Sequence, residues 1–163
     1  MKLVLAGFKG VGKTTCGKVI ADLLHLPFYD TDELLSHRYN KTIRELHVEL
    51  KEERFREEEA NVLEDLIEEK KAVVALGGGT LVSQKAQEIV ADMGCVVYLH
   101  CTLENLLKRL TPASFLDLND LQGSFEKVYE ARHPIFCKLC QYRVDVDDRT
   151  PEEVAHTILN FYG

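Results

Sequence analysis

The chain has 163 residues, 45% of them apolar and 29% charged, with a formal net charge of −7 and a pI near 5.4. That length suits one domain with a full α/β core, and the acidic balance excludes the broad basic surface that a nucleic-acid partner needs. No stretch approaches the 18 apolar residues of a membrane span and the first strand opens at once, so neither a signal peptide nor a membrane partner is expected, and a cytoplasmic location is.

A first strand is predicted over 2–6, where Leu3-Val4-Leu5-Ala6 form a continuous apolar run. It feeds Gly7-Phe8-Lys9-Gly10-Val11-Gly12-Lys13-Thr14, a Walker A pattern in the strand–loop–helix context that such a loop requires. Glycines let successive backbone N–H groups converge on a phosphate, Lys13 reaches the β/γ oxygens, and the Thr14 hydroxyl faces Mg²⁺. Gly10, Val11, Gly12, Lys13, Thr14 and Thr15 are therefore the expected nucleotide-binding residues, with a nucleoside triphosphate and Mg²⁺ as the expected ligands. The following helix, over 13–25, adds its positive end and is expected to bury Val19, Ile20, Leu23 and Leu24.

Pro27-Phe28-Tyr29 gives a short second strand ending in Asp30-Thr31-Asp32, and a helix over 32–39 follows with Thr31 or Asp32 as its cap. A short helix is predicted over 42–50. A strongly amphipathic one follows over 51–70, with Phe55, Val62, Leu63, Leu66 and Ile67 on its apolar face. Val73-Val74-Ala75-Leu76 reads as a central parallel strand that stops at Gly77-Gly78-Gly79. Beyond it come a helix over 84–92, a strand over 95–99, helices over 103–110 and 125–131, a strand over 143–146, and a closing helix that starts near Thr150-Pro151-Glu152-Glu153. This alternation predicts an α/β fold: one domain over 1–163, a parallel sheet of about five strands, and flanking helices.

Five cysteines, Cys16, Cys95, Cys101, Cys137 and Cys140, are odd in number and irregularly spaced, so no disulfide framework is expected. Cys137 and Cys140 have metal-ligand spacing but lack a second pair, and i, i+3 is also one helical face. Packing is the expected role of Cys16.

In open parallel sheets ligands bind beyond the C-terminal strand ends, and every suggestive cluster falls there. Strand one delivers the Walker A loop, strand two delivers Asp30 and Asp32, and strand three delivers the glycines. The two carboxylates suit one role toward Mg²⁺ and one toward a substrate hydroxyl, with helix capping as the competing role. Arg56 and Glu59, three apart on a helix, read either as a surface ion pair or as part of a site.

Taken together, the Walker A loop, Phe28-Tyr29-Asp30-Thr31-Asp32, Phe55-Arg56-Glu57-Glu58-Glu59, Leu76-Gly77-Gly78-Gly79 and Arg132-His133-Pro134-Ile135-Phe136 resemble the shikimate kinase family in order and spacing across essentially the whole chain. The resemblance implies a P-loop kinase that uses ATP, with Mg²⁺ as cofactor, to phosphorylate the 3-hydroxyl of shikimate, on the route to chorismate and aromatic amino acids. It implies that Asp30 supports Mg²⁺, and that Asp32 bonds the ring hydroxyls and serves with Lys13 in catalysis. Arg56 and Arg132 would clamp the substrate carboxylate, Gly77, Gly78 and Gly79 would line the ring pocket, and Glu59 would orient Arg56. Arg109, and with it Arg149, would flank the adenine. The segment over 33–70 would be the helical substrate-binding part, and a monomer is expected.

One departure stands out. The family carries a lid with an Arg-Pro step, and this chain reads Thr111-Pro112 within a short segment over 110–124. Threonine cannot supply that charge to the transferring phosphoryl group, leaving Lys108, Arg109 or Lys127 as substitutes. The competing readings are another small-molecule kinase, such as a gluconate or nucleoside-monophosphate kinase, and a nucleotide-binding regulatory protein with poor turnover.

Overall fold

Leu3, Val4 and Leu5 of strand β1 (Lys2–Ala6) are fully buried in the computed structural model, which describes residues 2–109 and 121–162. Their burial on both faces follows from a strand with neighbours on each side and helices above and below. β1 pairs in parallel with β3 (Val73–Ala75) on one side and β4 (Gly94–His100) on the other. β2 (Phe28–Asp30) lies outside β3 and β5 (Tyr142–Asp145) outside β4, which gives the order β2-β3-β1-β4-β5. All pairings are parallel, so every C-terminal strand end opens on one edge. The chain builds first to one side of β1 and then to the other, and ligands bind at such a reversal point.

Helix α1 (Lys13–Leu24) buries Ile20 as expected, but Cys16, Gly17 and Ala21 beside it rather than the other expected residues. Leu23 is exposed, and Val19 and Leu24 are only half-buried. The reason is close approach: a Cβ at Gly17 would lie 2.4 Å from Phe28 Cε1, so the small-residue face meets the sheet. Burial pushes the Cys16 thiol up to about 12, with Glu152 adding to the effect, so Cys16 is a packing residue.

Helix α2 (Thr31–Tyr39) begins one residue earlier than predicted, and its cap is Asp30. Helix α3 (Ile43–Asp65), capped by Thr42, is broken at Lys51, where φ is 62° and ψ is 173°. The break falls where the sequence divides into two helices. The second ends at Asp65 rather than near 70, so Ile67 lies past the C-cap Leu66, leaves the helical face and is exposed. Leu35, Leu46, Phe55 and Val62 form a satellite core joining α2 to α3.

A 3-10 turn (Thr80–Val82) and α4 (Gln84–Met93) lead into β4, and α5 (Leu103–Arg109) follows it. Helix α6 (Leu121–Leu139) is far longer than the predicted 125–131 and runs through Pro134. A proline inside a helix costs about 3 kcal/mol. Burial of Phe136, whose ring centroid lies 5.0 Å from those of both Phe8 and Tyr98, offsets it. Helix α7 (Pro151–Tyr162) closes the chain behind a threonine cap, in which Glu153 N–H donates to Thr150 Oγ1 and that hydroxyl donates to the Glu153 carboxylate. The expected lid over 110–124, with Thr111 and Pro112, lies outside the described residues except for its last four, which open α6.

Candidate active site at the strand ends

β1 runs into the glycine-rich loop, and Gly12 takes the left-handed region at φ 100°, where a side chain would strain the backbone. Gly12 caps α1 with no side-chain bond, so the first-turn N–H groups have no capping side chain and face the loop. Lys13 Nζ donates to the carbonyls of Gly7 and Phe8, each at 2.8 Å. Burial lowers the Lys13 ammonium to about 8, against the pull of Asp32 and Asp30 and helped by Lys9, so it stays protonated at neutral pH. Phe8 anchors the loop: it stacks on Tyr129 at 4.7 Å and meets Phe136 edge-on, both on α6.

Asp30 works with both oxygens. Oδ1 accepts from the N–H groups of Asp32 (2.9 Å) and Glu33 (3.2 Å), and Oδ2 accepts from the Thr14 hydroxyl at 2.6 Å. The cap thus aims the carboxylate at the phosphate loop. Burial, then Glu59 and Asp30, raise the Asp32 carboxyl to about 6, with Lys13 and Lys9 opposing. A cavity of about 350 Å³ opens between these groups, lined by Lys9, Gly10, Gly12, Lys13, Thr14 and Thr15 from the loop and by Asp30, Asp32, Leu76 and Gly78 opposite.

The three glycines after β3 each meet a different side chain. A Cβ on Gly77 would lie 2.5 Å from Asp32 Oδ1, and one on Gly79 would lie 2.6 Å from both terminal nitrogens of Arg56. Between them, the Gly78 carbonyl accepts from Arg132 Nη1 at 3.2 Å. Thr31 Oγ1 accepts from Gly77 N–H at 3.0 Å and ties this loop to the start of α2. Arg56 is 11% exposed; its Nη1 donates to Glu59 at 2.6 Å and its Nε to Glu52 at 2.7 Å. Burial works against the Arg56 charge, but Glu59 and Glu52 outweigh it and hold the guanidinium above its usual range. Glu59, 3% exposed, also accepts from the Thr80 hydroxyl at 2.7 Å. Arg132 is lowered by burial and then by Arg56, so two cations face one region from α3 and α6.

Thus Lys13, Thr14, Asp30, Asp32, Arg56, Arg132 and the glycines converge. Arg109 Nη1 approaches the Val11 carbonyl at 3.5 Å, which brings it beside the loop. Arg149 is not among the residues lining the cavity. Its guanidinium donates to the carbonyls of Asp145 and Glu153, each at 3.2 Å, and to the Thr157 hydroxyl, within its own turn and helix. Sequence reasoning passed over Glu52, although its i, i+4 spacing to Arg56 is a signal. Thr80, Phe8 and His47 carried no comparable mark.

The shikimate kinase family model matches residues 9–162. The shikimate kinase of Streptococcus gordonii is 34% identical over 162 residues, which cover 97% of this chain and 98% of that protein. The structure of shikimate kinase from Acinetobacter baumannii in complex with shikimate superposes with a TM-score of 0.92 at 28% identity, covering 98% of this chain and 90% of that one. The crystal structure of the Bacteroides thetaiotaomicron shikimate kinase gives 0.87 at 29%, covering 98% and 97%. The loop geometry, the motif spacing and these full-length similarities agree: the chain belongs to the shikimate kinase family.

Proposed function

We propose that this chain transfers the γ-phosphoryl group of ATP to the 3-hydroxyl of shikimate, giving shikimate 3-phosphate and ADP for aromatic amino-acid biosynthesis. The observation that carries the reading is the glycine row, against which Asp32, Arg132 and Arg56 all pack to make one wall. A carboxylated polyol suits that wall. Two guanidinium groups match a planar carboxylate, and the absence of side chains at 77–79 leaves room for a ring beside an acceptor carboxylate.

Asp32 accepts the proton of the attacking hydroxyl. A carboxyl near 6 is ionised at neutral pH yet more basic than an ordinary one, which suits that task. Lys13 exchanges its two loop carbonyls for phosphate oxygens, and Gly10, Val11, Gly12, Thr14 and Thr15 supply the surrounding donors. Arg109 lies to the adenine side, and Arg149 supports that side through its turn. The Thr14 hydroxyl and Asp30 carboxylate, 2.6 Å apart, are the hard oxygen donors that fit Mg²⁺, which when bound would neutralise charge on the phosphates. Residues 1–163 act as one kinase domain with the helical part over 33–70 on the substrate side, as a monomer in the cytoplasm. Among the described residues no helix is long and apolar enough to cross a membrane.

Coupled ADP release with ATP, Mg²⁺ and shikimate tests the reaction. Arg56→Lys and Arg132→Lys keep charge but lose the planar fork, so shikimate affinity falls in both while ATP affinity holds. Full shikimate affinity in both variants would refute the clamp.

A further inference from the structure

The break at Lys51 folds the first half of α3 back on the second, so that the half-buried His47 stacks on Phe55 with ring centroids 3.7 Å apart and planes at 20°. Phe55 also carries the Arg56 guanidinium 5.4 Å from its ring centre. Through Phe55, His47 adjoins Arg56, one of the two arginines that we assign to the substrate carboxylate. Arg56, the second clamp arginine Arg132 on α6 and Lys9 in the phosphate loop act on it electrostatically from one side of the balance, and Glu52 on α3 from the other. The proposed reaction gives it no part.

We propose that His47 is a proton-linked member of the carboxylate subsite, which takes up a proton as an anionic carboxylate binds between Arg56 and Arg132. The inference rests on the carboxylate clamp of the proposed function. In the free protein, burial and then Arg56, with Arg132 and Lys9 behind it, hold the imidazole below its usual range, and Glu52 alone opposes them. An arriving carboxylate offsets the field of the two arginines, so the protonated ring becomes easier to form. Linkage is reciprocal: protonated His47 must then favour the carboxylate by the same factor.

Protonated protein binds more tightly, so affinity rises as pH falls through the His47 range, below its ordinary 6.5. A half-unit rise in pKa on binding corresponds to about threefold in affinity and an uptake of about 0.3 proton at the midpoint. Asp32 titrates near 6, so the quantity that isolates His47 is the difference between wild type and variant.

Shikimate binding to the full chain, measured calorimetrically at several pH values from about 7.5 downward in two buffers of different ionisation enthalpy, counts the protons taken up. His47→Phe keeps a ring against Phe55 and His47→Gln keeps a polar group, and neither titrates. In both, uptake at its maximum across the series should drop by about 0.3 proton, and the affinity gain on lowering the pH should shrink by up to about threefold. Uptake equal to wild type overturns the inference while leaving the clamp standing. Should the variants not fold, an NMR titration of the His47 ring in wild type, with and without shikimate, reads the same linkage: a raised midpoint supports it and an unmoved one overturns it. Failure of wild type to bind shikimate at all overturns the proposed function, and this inference with it.

Discussion

Removing the Glu59 carboxylate tests how the carboxylate clamp is held. Glu59→Ala deprives Arg56 of its buried partner and the fully buried Thr80 hydroxyl of its acceptor. Breaking a buried ion pair costs about 3–5 kcal/mol because the surviving charge loses its compensation. Arg56, at 11% exposed, keeps Glu52, but that carboxylate is 64% exposed and its pairing is worth at most about 1 kcal/mol. The lower end, about 3 kcal/mol, is therefore expected, or a fall in Tm of about 6–12 °C for a domain of this size. Glu59→Gln keeps an acceptor without its charge and should lose about half as much. Freed from Glu59, Arg56 no longer meets Gly79 in a fixed pose, and KM for shikimate should rise about tenfold with ATP affinity unchanged. Thermal unfolding by circular dichroism and coupled ADP release measure both. A Tm within about 2 °C of wild type together with an unchanged KM would refute the claim that Glu59 holds the clamp.

Lys13→Met should abolish turnover in the coupled assay and leave the far-ultraviolet spectrum intact; wild-type turnover would remove the phosphate loop from the mechanism. Asp32 ionises near 6 in the folded protein against an ordinary 3.8, so the native state binds more protons between those values and its stability rises as pH falls from about 6 toward 4. Asp32→Asn should erase that slope, gain about 1–2 kcal/mol at pH 7 in urea unfolding, and lose most of kcat, whereas wild-type kcat falls as pH drops through about 6; a retained slope would contradict the assignment. Lys51→Gly relieves a left-handed backbone costing about 1–3 kcal/mol but frees the unfolded chain by about 0.5–1 kcal/mol, so Tm should rise by about 2–4 °C, and a fall would show that the bend is unstrained.

The central strands were legible because β1, β3 and β4 are short apolar runs, the first two stopped by glycine. β1, β3 and β4 fall within a residue or so of their predicted bounds. Misreadings arose where tertiary packing overrides local pattern. Gly17 draws α1 onto Phe28 and turns Leu23 outward, and Phe136 holds α6 helical through Pro134. Likewise the Asp30-x-Asp32 pair was visible as chemistry, with one carboxylate toward Mg²⁺ and one toward a hydroxyl, but the capping role of Asp30 was not. Only the three-dimensional arrangement makes Asp30 at once the cap of α2 and the partner of Thr14. Contacts spanning long separations, such as Thr80 with Glu59 or Phe8 with Tyr129, leave no local periodicity to read.

Helix α6 joins the two proposed subsites physically. Its Tyr129 and Phe136 grip Phe8 of the phosphate loop, while Arg132, between them in sequence, reaches the Gly78 carbonyl. The loop itself is closed on its own atoms, with Lys13 on two carbonyls and Thr14 on Asp30. Phosphates entering that loop must take over these bonds, which exchanges acceptors for the ammonium rather than leaving it bare, so the buried charge is never uncompensated. Released from Lys13, the Gly7 and Phe8 carbonyls can shift only as far as the aromatic cluster permits, because an interior packed to crystal density resists continuous deformation. The same cluster fixes the height of α6 and hence of Arg132 above the glycine row. The proposed nucleotide and carboxylate subsites thereby share one rigid brace, and aromatic packing between the phosphate loop and α6 sets the spacing of the one from the other.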